Sequence, residues 1–143
     1  MLITPHFSLA EMVVSQVAAR DGLDNRPGPD ALANLKCLCE ALEQVRSIVG
    51  MPIIISSAFR SPELNRRIGG APCSAHQTGL AADFTAPGMT PRELALCIQG
   101  SDIAYDQLIL EFDSWVHIAV SRGSPRREVL TIRRGTGYLP GIH

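Results

Sequence analysis

Several absences narrow the reading of this chain before any motif is considered. There is no basic surplus: 13 Lys and Arg stand against 14 Asp and Glu, a formal net charge of −1, and no basic stripe runs along the sequence. The electrostatic footprint of a nucleic-acid-binding protein is therefore missing. No apolar run approaches the roughly 20 residues of a membrane span, so no stable membrane insertion is expected. The N-terminus, Met1 to Glu11, lacks both a basic segment and a continuous apolar one. The expectation is synthesis in the cytoplasm without a secretory signal. Cysteine is sparse, and Cys37, Cys39, Cys73 and Cys97 include no C-x-x-C pair, which argues against a cysteine-based zinc knot. Cys37 and Cys39, two apart in a helical pattern, point to different faces. Cys39 and Cys97 read as small core hydrophobes. Cys73, three residues before His76, reads as loop filler, with a weaker claim to be a ligand or a redox-sensitive thiol.

What is present describes one soluble domain. The chain has 143 residues, 45% hydrophobic and 19% charged, long enough to bury a core without staples. Ser8 with Glu11, and Thr90 with Glu93, form capping boxes; they predict a short helix to about Ala19 and another to about Gln99. Asp21 to Pro29 is a turn-rich loop. Leu32, Leu35, Cys39, Leu42, Val45 and Val49 recur at helical spacing, predicting a long helix from about Asp30 to Val49 closed by Gly50. Ile53 to Ile55 reads as a buried strand, and Ser61-Pro62 starts a short helix. Leu80–Phe84, Gln107–Glu111, Trp115–Val120 and Glu128–Ile132 are strand candidates. Residues from about 135 to 143 read as a loose tail. Arg122, Arg126, Arg127, Arg133 and Arg134 read as the solvated side of a strand pair. Helices lead and strands follow, without repeat or linker. The fold class is α+β, a single domain over residues 1–143, with a small, mostly antiparallel sheet and N-terminal helices packed on it.

The chemistry concentrates in three residues. His76, Asp83 and His117 offer two imidazoles and a carboxylate, a set that suits zinc and leaves a fourth position for water. Such an open site is hydrolytic rather than structural. Taken alone, His117 in its apolar strand reads more readily as a core histidine, and Asp83 as a strand-end cap. Their common placement in or beside strands of one small sheet is what joins them. Hydrolysis also needs a general base. Strand parity around His117 puts Glu111 and Asp113 on its face, with Glu111 the candidate and Asp113 the fallback. Glu111 ends the apolar run Leu108–Leu110, where a carboxylate needs a partner. Arg60, at a strand end, can grip a carboxylate in two-pronged fashion, either the protein's own or a peptide C-terminus.

These residues carry a family pattern. Ser57-x-x-Arg60-Ser61-x-x-x-Asn65, then Ser74-x-His76-x-x-Gly79-x-Ala81-x-Asp83, then Trp115-Val116-His117 resembles the zinc D-Ala-D-Ala carboxypeptidases. Related endopeptidases of that family cut other bonds in peptidoglycan stem peptides. The resemblance runs from about Thr4 to Val120, and Phe7 to Met12 is similar to small phage and prophage members. It implies a hedgehog/D-Ala-D-Ala peptidase-like fold and Zn2+ held by His76, Asp83 and His117. It also implies Arg60 as a substrate or oxyanion contact, with Ser74 and Gln77 beside the ligands as substrate contacts. One departure stands out: many members carry the acidic base three residues before the last histidine, where this chain has Ser114. The run Asp106–Glu111 is similar to the smaller phage-type members and keeps Glu111 as the expected base. The resemblance thus implies a zinc metallopeptidase acting on peptidoglycan stem peptides, and a monomer is expected. It would reach the wall as a phage or prophage lysis enzyme or as part of a virion. Ser114 supports a rival reading, a non-catalytic zinc-containing cell-wall-binding or virion module of the same fold. A third, an intracellular dipeptidase, would prefer free D-Ala-D-Ala. Other divalent metals compete with zinc on affinity alone.

Overall fold

The computed structural model describes residues 1–143. The chain opens with a hairpin, β1 (Leu2–Thr4) and β2 (Phe7–Ser8), then α1 (Leu9–Val13) and α2 (Gln16–Asp21). The Ser8 box forms as expected: Ser8 Oγ accepts from the Glu11 N–H at 3.2 Å and Glu11 accepts from the Ser8 N–H at 3.0 Å. The single helix expected to Ala19 is interrupted. Val14 is extended at ψ 135°, and Ser15 caps a new start by accepting from the Ala18 N–H at 3.1 Å. The adjacent β-branched Val13 and Val14 favour extended backbone, and the Ser15 hydroxyl offers a local partner to the backbone.

The long helix follows as α3 (Pro29–Val49), with Pro29 at its first position and Gly50 closing it at φ 69°. Its Leu35, Leu38, Cys39, Leu42 and Val45 are fully buried, one stripe at helical spacing. Burial pushes the Cys39 thiol up to about 12, so it packs as a hydrophobe; all four cysteines are free. After it come β3 (Ile54–Ser57), α4 (Pro62–Arg67), a 3₁₀ turn at Ala75–Thr78, β4 (Ala81–Thr85) and α5 (Pro91–Gln99). Then follow β5 (Gln107–Glu111), β6 (Trp115–Ala119), β7 (Glu128–Arg133) and β8 (Gly137–Pro140).

The six later strands form one sheet in the order β3-β4-β6-β5-β7-β8. Only the β5–β7 pair is parallel, so the α+β class and the mostly antiparallel sheet stand. Alternation sorts its faces. Phe84, Leu108, Leu110, Val116 and Ile118 are fully buried and join α3 and α5 residues in a core of 25 buried side chains. Asp83, Ile109, Glu111 and His117 occupy the other face.

Three expectations change. Ile53–Ile55 is not buried throughout: β3 is an edge strand, with Ile55 turned inward at 9% exposure and Ile54 outward at 56%. The stretch from 135 to 143 is not a loose tail. Its Gly137–Pro140 pairs with β7 from Arg133↔Gly137 to Leu130↔Pro140, and the Thr131 hydroxyl donates to the Gly141 carbonyl at 2.7 Å. Gly137 and Pro140 disguised a strand, because an edge position tolerates a proline that donates nothing. The arginine cluster is largely engaged with the protein itself: Arg126 binds Asp106, Arg133 binds Asp113, and the Arg127 guanidinium lies 4.4 Å from the Tyr105 ring centroid. No helix is long and apolar enough to cross a membrane.

Candidate metal centre

Register brings the three ligand candidates together. Asp83 on β4 pairs directly with His117 on β6, and directly opposed residues share a face with their side chains close. His117 Nδ1 lies 2.9 Å from Asp83 Oδ1. His76 arrives from the 3₁₀ turn, whose start Ser74 caps by accepting from the His76 N–H at 3.2 Å. Gly79 ends that turn at φ 82°, and a Cβ there would stand 2.7 Å from the Ala31 carbonyl of α3. A side chain at 79 would therefore be strained and would push the turn off the long helix.

His76 and His117 are buried, and the ligand atoms of His76, Asp83 and His117 all lie within 4.8 Å of one another. His76 Nδ1 sits 2.7 Å from the Ala58 carbonyl. A carbonyl only accepts, so Nδ1 carries the proton, and in neutral imidazole Nε2 is then a lone pair. That nitrogen faces Asp83 Oδ1 at 3.4 Å. A lone pair and a carboxylate facing each other in a buried site call for a cation between them. Fixing the far nitrogen of a histidine in this way also orients its ring as a metal ligand. Without a metal, a proton on the imidazoles takes that place: burial opposes ionisation of Asp83, but the resulting hydrogen bonds and charge from His117 and His76 outweigh it, holding the carboxyl well below its usual range. The donor set fits a divalent metal.

Glu111 joins the site across the sheet rather than along one strand. A turn at Phe112–Ser114 separates β5 from β6, so parity does not run from His117 back to Glu111. Glu111 pairs with Trp115, and Ile109 with His117, which makes Glu111 the diagonal neighbour of His117 on the same face. The Trp115 indole N–H donates to Glu111 Oε1 at 2.8 Å and orients the carboxylate. Burial raises the Glu111 pKa and Asp83 adds to it, against the opposing pull of His117, Trp115 and His76. Phe112 and Asp113 hold left-handed backbone at φ 55° and 53°. The Phe112 ring packs 5.7 Å from that of Trp115, and its N–H donates to the Ile132 carbonyl at 2.8 Å.

Arg60 enters from the opposite side. Its segment is clamped: the Phe59 N–H donates to Met12 O, the Arg60 N–H to His76 O, and the Ser61 N–H to Asn25 Oδ1. The Asn25 amide donates to both Val13 O and Phe59 O. Arg60 Nη1 donates to the buried Asn65 at 3.1 Å, and Nε is buried without a partner. Desolvation lowers the Arg60 pKa, while Asp83 and Glu111 raise it. A Cβ on Gly70 would collide with Asn65 Oδ1 and stand 2.8 Å from Arg60 Nη1, so glycine lets this loop close over the pair.

Arg60, His76, Asp83, Glu111 and His117 line a cleft of about 560 Å³ that also takes in Cys73, Ser74, Asp106, Gln107, Arg126 and Tyr138. Other expectations fall outside it. Gln77 does not line the cleft; its amide donates to the Pro72 carbonyl at 2.7 Å. Ser74 is at the wall, but its hydroxyl is engaged as the cap. Asp113 makes a two-pronged pair with Arg133 at 2.8 Å, and Ser114 sits in the turn, donating to Phe112 O. Sequence reasoning assigned no task to Trp115, Asn25 or Tyr138. Only the Trp-Val-His motif contained a usable signal, since Trp115 and Glu111 flank a short turn and so face each other.

Residues 5–119 match the family described as Peptidase M15, and the chain belongs to that family. No curated protein matches it. The matched span contains Arg60, His76, Asp83, Glu111 and His117, and ends before β7.

Proposed function

We propose that this M15 family member is a zinc-dependent hydrolase of peptide bonds in peptidoglycan stem peptides, a D-Ala-D-Ala carboxypeptidase or an endopeptidase. The observation that carries the proposal is the convergence of one ligand atom each from His76, Asp83 and His117 within 4.8 Å of one another, with Glu111 on the same sheet face. Two nitrogens and one oxygen suit zinc. When bound, zinc would supply Lewis acidity and bring water ionisation toward neutral pH. His76 Nδ1 stays committed to Ala58, so the imidazole keeps one orientation. Glu111, held through one oxygen by Trp115, keeps the other free to take a proton from attacking water and return it to the leaving amine. Arg60, a half-buried cation at the end of the cleft, would hold the terminal carboxylate or the developing oxyanion.

The non-catalytic module rested on Ser114. With Ser114 in the turn and Glu111 in the cleft, the acidic role has an occupant, which favours the enzyme. The similarity of Phe7 to Met12 to phage members suggests a lysis enzyme or virion component as the setting. The test is mass spectrometry of purified muropeptides incubated with the protein, with and without a chelator. Chelator-sensitive loss of one alanine, or cleavage of a stem or cross-link, is the expected result and identifies the bond. Intact muropeptides from folded, zinc-loaded protein would return the argument to the binding module.

A further inference from the structure

The cleft crosses the sheet from one edge to the other. Arg60 follows edge strand β3, Asp83 lies on β4, His117 on β6, Glu111 on β5, and Tyr138 on the far edge strand β8. Register runs Trp115↔Glu111↔Ile132↔Tyr138 in one row and His117↔Ile109↔Leu130↔Pro140 in the next. Directly paired residues share a face. Beyond Glu111 the same sheet face therefore carries half-buried Leu130 and Ile132 toward Tyr138, which lines the cleft and is 59% exposed.

Side-chain hydrogen bonds tie this ribbon to the rest of the fold. Arg127 beneath its start donates to the carbonyls of Gln99, Ser101 and Ile103. Gln107 on β5 donates to Glu128 at 2.8 Å, Arg126 grips Asp106, and Arg133 binds both Asp113 and the His143 carbonyl. A large aromatic ring held in solvent on such a scaffold, at the rim of a catalytic cleft, is a contact surface awaiting a partner.

We infer that the β7–β8 ribbon, with Tyr138 at its rim, is a specificity-determining subsite for peptide residues amino-terminal to the scissile bond, favouring long peptides over dipeptides. The inference rests on the hydrolase reading, in which Arg60 takes the carboxyl end and the remainder runs toward β8. Three interstrand spacings of about 4.8 Å separate β6 from β8, about 14 Å in all. An extended chain advances about 3.4 Å per residue, so this is about four residues, and a dipeptide of about 7 Å falls short. Leu130, Ile132 and Tyr138 offer apolar surface, and the Arg126–Asp106 pair that also lines the cleft is neutral in sum, so the subsite would read mainly backbone and aliphatic portions.

The experiment compares wild type, Tyr138→Ala and Tyr138→Phe, zinc-loaded, on free D-Ala-D-Ala and on a pentapeptide ending in the same two residues. Tyr138→Ala should lower the pentapeptide-to-dipeptide ratio of kcat/KM about tenfold, mainly through KM, a common loss on truncating a contact aromatic. Tyr138→Phe should keep the wild-type ratio. An unchanged ratio, or parallel loss on both substrates, overturns the subsite. Trp115, the single tryptophan, gives a binding readout by fluorescence that needs no turnover. Pentapeptide binding that weakens in Tyr138→Ala while nothing is cleaved would uphold the subsite and remove the hydrolase. Equal pentapeptide binding by both proteins overturns the subsite.

Discussion

The two faces of β4, β5 and β6 are separated by one residue along the chain and by opposite tasks across the sheet. Phe84, Leu110 and Val116 are fully buried against the helices, while their neighbours Asp83, Glu111 and His117 face the cleft. The core face buys stability and the cleft face spends part of it, because burying Glu111 opposes its ionisation. One alternation thus builds scaffold and site together, so their separate contributions can be tested by substitutions one position apart.

The largest effect should come from the cleft face. Removing metal with a chelator, or replacing His117 by Ala, should abolish turnover of a peptide substrate; activity that survives either change would dissolve the metal centre. Glu111→Gln comes next, with turnover reduced about 10²–10⁴-fold, the usual contribution of a general base. In metal-free protein the same substitution should raise Tm at neutral pH. The folded-state pKa of Glu111 is raised, so the fold loses stability as pH climbs past the unfolded value of about 4.3. Glutamine removes that loss, and the advantage should vanish below about pH 4. A Tm gain that persists there would require a different cause.

The opposite face should show the reverse pattern. Leu110→Ala, one position from Glu111, should cost about 3 kcal/mol, roughly 10 °C in Tm, through the cavity it leaves. The surviving folded fraction should still turn over substrate at an appreciable rate. A variant as stable as wild type would contradict the buried packing of Leu110.

Acid unfolding sharpens the comparison on the cleft side. The folded-state pKa of Asp83 is depressed, so its contribution is complete above the unfolded value of about 3.9 and drains away as pH falls toward the folded one. In metal-free protein, Asp83→Asn should therefore flatten the decline of Tm below about pH 4. Equal slopes for the two proteins would show that the histidines do not stabilise the carboxylate. The smallest effect belongs to Asp113→Asn, which should leave turnover unchanged because Asp113 is paired with Arg133 outside the cleft. A loss comparable to that of Glu111→Gln would exchange their roles.

Much of the architecture was legible locally. The Ser8 and Thr90 capping boxes, the apolar stripe of α3 from Leu35 to Val45 and the strands around Asp83, Glu111 and His117 all appear where their patterns put them, whereas Leu32 at the start of the stripe is exposed. Errors arose where local signals conflicted with position in the sheet. Ile54 looked buried because β-branched runs usually are, yet an edge strand leaves one face open. Gly137 and Pro140 looked like coil, yet β7 supplied the missing edge with a partner. Asp113 and Glu111 could not be separated by strand parity, because the turn between β5 and β6 reset it.

Residues three or four apart in helices, and two apart in strands, meet through bonds the local chain controls; such relations determined the helices and the strands, while residue type alone marked His76, Asp83 and His117 as candidate metal ligands. Long-range register is different. The pairing of Asp83 with His117, the approach of His76 through Gly79 and Ala31, and the clamp of Asn25 on the Arg60 segment each join positions far apart in sequence. So does the placement of Tyr138 at the end of the same cleft. These were decided only by the tertiary structure, because a strand's partner is fixed by burying a whole sheet face at once and by no single residue within it.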